Sequence, residues 1–180
     1  MSVSIGNNNG ESDSNSKIIT IAGPPNKTID SNSVVIGEKI TNRINIPLKS
    51  GNLGDLTITE ALASGIALDS FQINADNNSD INYTVDSQPS FGDNGTLSWN
   101  LSSVQNNSSD NSVDNLVLEY KAFIKDETTN QSGDTFLSVA SVNYNNSLTL
   151  NTNSTSITLK EPEIEITKTL NTTGPYVSRR

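Results

Sequence analysis

The chain has 180 residues and a formal net charge of −9, and its 26 Asn, 26 Ser and 18 Thr make up about two-fifths of it. It contains no Cys and no His, which excludes a Cys/His zinc site, a disulfide and any Ser-His-Asp or Cys-His nucleophile pair. The acidic balance opposes phosphate backbones, so nucleic acid is not an expected partner. No apolar run approaches the ~18 residues of a membrane helix, so no membrane insertion is expected.

In chain order, residues 1–16 are almost wholly Ser, Asn, Gly and acid and read as a flexible polar leader or linker. They have neither the basic nor the apolar region of a secretory signal. From Lys39 to Leu48 the even positions Ile40, Ile44, Ile46 and Leu48 are apolar and Lys39, Thr41, Arg43 and Asn45 are polar. Period two over ten residues predicts a half-buried strand, with Pro47 marking an edge or a strand end. Leu56 and Ile58 make a second strand, Phe71 and Ile73 a third, and Ile81, Tyr83 and Val85 a fourth. Leu97, Trp99 and Leu101 follow. The longest run places Leu116, Leu118, Tyr120, Ala122 and Ile124 inward, with Glu119, Lys121 and Lys125 outward. Ala140, Val142 and Tyr144 share one face, Ile157 with Leu159 forms a late strand, and Ile164 with Ile166 opens another.

Punctuators rich in Gly, Asn and Asp separate these runs: 51–54, 76–80, 92–95, 106–111 and 128–133. No stretch carries a sustained i, i+3, i+4 stripe. Many short strands without helices predict an all-β fold, an antiparallel Ig-like β-sandwich. Its expected core is Ile40, Ile44, Ile46, Ile58, Leu62, Leu97, Trp99, Leu116, Leu118, Tyr120, Ala122 and Val142.

Three segments, in order, resemble a known family. Val35-Ile36-Gly37-Glu38-Lys39-Ile40-Thr41 is similar to the opening of the Ig-like conserved-repeat domain of bacterial and archaeal surface proteins (domain of unknown function 11). Leu56 to Ile66 resembles its "valine-threonine-aspartate-x-leucine-proline-x-glycine-leucine" segment, with Glu60 and Ala63 in place of the usual Asp and Pro. Thr96-Leu97-Ser98-Trp99-Asn100-Leu101 resembles its single-Trp strand. The resemblance implies one sandwich repeat over 17–161 and an extracellular or cell-surface location. Pro162-Glu163-Ile164-Glu165-Ile166-Thr167-Lys168 is similar to the start of a further repeat, which would make 162–180 the opening of a truncated following repeat. The function so implied is a non-catalytic structural spacer in an adhesin or stalk, with neighbouring repeats of the same chain as partners. Two alternatives stay open. One is a binding module that holds surface glycan or protein through end loops such as 74–80 and 105–114. The other is a phage structural decoration domain.

Fimbrial relatives of this family carry a self-formed Lys–Asn isopeptide bond. Aligning Ile18-Ile19-Thr20-Ile21 on Glu165-Ile166-Thr167-Lys168 puts Ile21 at the lysine position, and Leu137-Ser138-Val139-Ala140 puts Ser138 at the asparagine position. With both partners missing, no such bond is expected.

Other candidate sites have plainer readings. The clusters Asp76-Asn77-Asn78-Ser79-Asp80, Asp93-Asn94-Gly95 and Asp110 to Asp114 carry oxygens that suit Ca²⁺, but turn chemistry accounts for them and no metal is assigned. Asn-x-Ser/Thr acceptors at Asn26, Asn82, Asn94, Asn100 and Asn171 arise readily in so polar a composition. Glu60, Glu119 and Glu127 are the obvious acids for glycoside hydrolysis, yet nothing in the pattern supplies the apolar pocket a general acid requires. Trp99, Tyr83 and Tyr120 share the apolar parity of their strands and read as core packing rather than a sugar platform. No catalytic residue, cofactor or metal ligand is expected, and the chain does not read as an enzyme.

Overall fold

The computed structural model describes residues 2–3, 19–76, 80–109, 113–162 and 165–169. Most of the 1–16 leader, the middle of the 76–80 cluster and residues 110–112, 163–164 and 170–180 lie outside them; of the strand expected to open at Ile164 and Ile166, the described residues 165–169 form none, and Ile166 is exposed. One sheet orders β3 (Asn26–Ile29), β5 (Lys39–Lys49), β10 (Val113–Ile124) and β7 (Ile66–Ala75), all antiparallel. A five-stranded antiparallel sheet orders β13 (Leu148–Asn151), β12 (Ala140–Tyr144), β6 (Gly51–Ala61), β9 (Thr96–Asn106) and β8 (Ile81–Ser87). A small third sheet pairs β11 (Thr135–Ser138) with β14 (Thr155–Lys160), and β14 runs parallel to β4 (Ser33–Val35). β1 (Ser2–Val3) pairs with β2 (Ile19–Thr20). The protein is an all-β sandwich, as its alternating pattern predicts.

Alternation explains the layering. Ile40, Ile44, Ile46 and Leu48 of β5 and Leu116, Leu118, Tyr120 and Ala122 of β10 are buried on one wall. Leu56, Ile58, Leu97, Trp99, Leu101, Val142 and Tyr144 are buried on the facing wall. Trp99 anchors the interface, its ring 5.8 Å from Phe71 edge-on and 5.7 Å from Tyr120. Of the expected core residues only Leu62 is incompletely buried, because it lies just past the end of β6.

Of the two readings of Pro47 the edge holds and the strand end does not: β5 continues to Lys49, and Pro47 pairs with Asn115 on one side while its other side lies just beyond the stretch that β3 covers. One local expectation is corrected. The 51–54 segment is not a loop but the start of β6, where register shifts at Asn52/Gly54 and Gly54/Leu56 absorb the extra residues as bulges.

The outer face of the five-stranded sheet is a net of side-chain hydrogen bonds. The Thr57 hydroxyl donates to Asn100 (2.9 Å), the Asn100 amide to Ser87 (2.6 Å), and the Ser102 hydroxyl to Asp86 (2.8 Å). Ser141 donates to Asn151 and Asn143 to Thr149, each at 2.8 Å.

Two turns are locked by a glycine packed against an asparagine. Gly65 (φ +80°) touches Asn130, whose amide donates to the carbonyls of Gly65 (3.1 Å) and Lys125 (2.9 Å). Gly54 (φ +78°) touches Asn145, which accepts from the Asp55 N–H (2.9 Å) and donates to the Leu53 carbonyl. A Cβ on either glycine would meet the asparagine side chain at 2.3 Å or less, and the left-handed backbone disfavours any L residue. Gly65→Ala and Gly54→Ala should each lower unfolding free energy by about 1–3 kcal/mol in urea titrations, whereas Gly133→Ala, with open space around it, should cost less.

Candidate functional site: a buried lysine node

The alternation that builds the core also carries two charges into it. On β3, Lys27 shares the inward parity of Ile29, and on β6, Glu60 shares that of Leu56 and Ile58. Both side chains are fully buried, and the Lys27 ammonium donates to Glu60 Oε1 at 2.7 Å. Its remaining protons go to the Tyr120 hydroxyl on β10 (3.1 Å) and to Ser138 Oγ at the end of β11. Ser138 in turn donates to Glu60 Oε1. Lys27 also lies 5.7 Å from the Tyr120 ring centre, which adds a cation–π attraction. The edge of β3 is closed by the Asn153 amide, which accepts from the Lys27 N–H (2.7 Å) and donates to the Lys27 carbonyl (2.9 Å), as a neighbouring strand would.

The node therefore joins strands of the four-, five- and three-stranded sheets at one point. Its electrostatics follow from burial. Desolvation lowers the Lys27 pKa, against the attraction of Glu60 and their hydrogen bond. Desolvation and the neighbouring Glu60 charge push the Tyr120 phenol well above its usual value. Glu60 Oε2 is buried without a hydrogen-bond partner, so the node does not satisfy every group it buries.

These positions revise the sequence reading. Ile21, aligned above with a lysine, is a core residue bridging to Leu48, and the lysine that the fold brings to Ser138 is Lys27. Glu60 is buried, but its carboxylate lies against the Lys27 ammonium and the Ser138 hydroxyl rather than in an apolar pocket. Glu119 lies on the outer face, where Gln72 donates to it (3.1 Å), and Glu127 pairs with Lys125 at 3.4 Å. Trp99 and Tyr120 are buried and Tyr83 is half-buried, donating to the Ile73 carbonyl at 2.7 Å. Of the clustered acids, Asp93 holds a turn by accepting from the Ser90 N–H (2.7 Å), and Asp114, at the start of β10, accepts from Asn106 (2.9 Å) and Ser108. Among the described residues no three acids converge on a metal-sized space.

No protein-family model matches the chain, and no curated protein does. Solved structures do share its fold. The N-terminal domain of the Streptococcus gordonii adhesin Sgo0707 is similar with a TM-score of 0.58 at 12% identity, over 79% of this chain and 34% of that one. The major pilin SpaD of Corynebacterium diphtheriae gives 0.53 at 15% identity, over 74% of this chain and 34% of that one. A 35 kDa C-terminal fragment of the Streptococcus agalactiae major pilin GBS80 gives 0.52 at 13% identity, over 76% and 56%. The chain thus aligns with about a third to just over half of each of these structures, and what they share with it is the sandwich fold of Gram-positive pilin and adhesin domains.

Removing one partner of a buried ion pair strands the other charge, whereas removing both does not. Glu60→Ala should therefore cost about 3–5 kcal/mol in urea unfolding, and the double variant Lys27→Met/Glu60→Leu should recover most of that loss. Alkaline pH tests the same core. Burial raises the Tyr144 pKa to about 12, so folding favours its neutral form. That contribution is complete below the unfolded value of 10 and is lost as pH rises through about 12. The lowered Lys27 pKa acts in the opposite sense, favouring the fold as pH rises toward 10.5. Absorbance titration should show Tyr120 and Tyr144 resisting ionisation until the fold opens, in one step with loss of near-ultraviolet circular dichroism.

Proposed function

We propose that the chain is a non-catalytic structural spacer module of a cell-surface adhesin or stalk, located outside the cell. The observation that carries this reading is the lysine node, a cross-sheet clamp at the heart of a fold shared with adhesin and pilin domains. A spacer transmits load from one end to the other, and a single contact between the four-, five- and three-stranded sheets resists their sliding apart. In this reading residues 17–161 form one repeat, 1–16 a leader and 162–180 the start of the next, so its partners are neighbouring repeats.

The clamp is non-covalent in this proposal. An isopeptide bond would form between Lys27 Nζ and a side-chain carboxamide carbon, expelling ammonia and lowering the mass by about 17 Da. With a hydroxyl at 138 there is no such carbon, so the intact mass should equal the sequence mass. Ser138→Asn supplies one at the lysine and should shed that mass on folding, leaving Lys27 and position 138 cross-linked in tryptic maps.

Glycan and matrix-protein arrays test the functional reading itself. A spacer should leave them silent, while a signal that disappears when loop 105–114 is replaced would establish the binding module instead.

A further inference from the structure

Ser138 belongs to the node and also opens onto a cleft. An apolar cleft with about 30 Å³ of free volume is walled by Ile40, Leu62, Phe136 and Ile157 and reached by Ser138, Asn42 and Tyr120. A water needs ~10–15 Å³ by this measure, so the space suits a group of acetyl size. Around Ser138 Oγ the node supplies what a nucleophilic hydroxyl needs. Glu60 Oε1 accepts its proton, and the Lys27 ammonium, donating to the same oxygen, stabilises the alkoxide as it forms. Asn42 and Tyr120, both buried, are the other polar side chains on the cleft wall.

We propose that Ser138 is a covalent acceptor site for small acyl groups delivered by activated esters. In the step, a bond forms from Ser138 Oγ to the acyl carbon and the bond from that carbon to the leaving-group oxygen breaks. The Ser138 proton passes to Glu60 and the leaving group departs as its anion. The product is one acyl-serine per chain. This goes beyond the spacer role and does not depend on it.

The test uses the whole folded chain and p-nitrophenyl acetate, whose leaving group is p-nitrophenolate. A single acetyl, about 42 Da, should appear on Ser138 in peptide maps, be released by hydroxylamine as an ester, and form about a hundredfold faster than in the urea-unfolded chain. Ser138→Ala should lose that fast phase while keeping the wild-type near-ultraviolet spectrum. An acetyl found only on lysine amines and resistant to hydroxylamine would overturn the proposal, as would equal rates in folded and unfolded chains. Mapping the wild-type product decides the matter even if the alanine variant does not fold.

Discussion

A charge taken out of water must find its opposite, and in this protein that demand organises the interior. Lys27 and Glu60 enter the core from different sheets, and neither is tolerable there without the other. Their 2.7 Å contact fixes how the sheet of β3 faces the sheet of β6. The third sheet is drawn in through Ser138, and Tyr120 ties the node to the aromatic stack around Trp99. Apolar burial supplies most of the cohesion, but it is non-directional, whereas the ion pair admits only one registration of the layers.

Short polar side chains surround this core and serve two purposes. At turns, Asn130 and Asn145 replace missing strand partners and lock left-handed glycines. On the outer sheet face they bond to one another across strands. A composition so poor in apolar residues still folds because its few large side chains fall on the inward parity, and many of its Asn, Ser and Thr bond to one another or to the backbone.

Alternation makes the long antiparallel strands legible: β5, β9 and β10 are plain in the sequence because one residue in two is apolar. Of the third sheet only β14 is legible there, through Ile157 and Leu159. β11 mixes Phe136 and Leu137 on opposite faces, with Leu137 largely exposed, and the parallel pairing of β4 with β14 joins segments more than a hundred residues apart. Lys27 escapes a reading of the residues because a lysine is taken as solvated by default. Its parity with Ile29, and that of Glu60 with Ile58, is the available signal, since two opposite charges on inward positions imply each other. Pro47 leaves edge and strand end undecided for a related reason. Proline is barred from a ladder only where a partner strand needs its N–H, and where β3 stops is not visible in the residues.

The hydrogen-bonded net on the five-stranded sheet also bears on how such a surface behaves in company. Amides and hydroxyls already engaged with one another offer an approaching molecule few free donors or acceptors, and there is little exposed hydrocarbon between them. Copies of this domain crowded side by side would find few unengaged groups to hold along that flank.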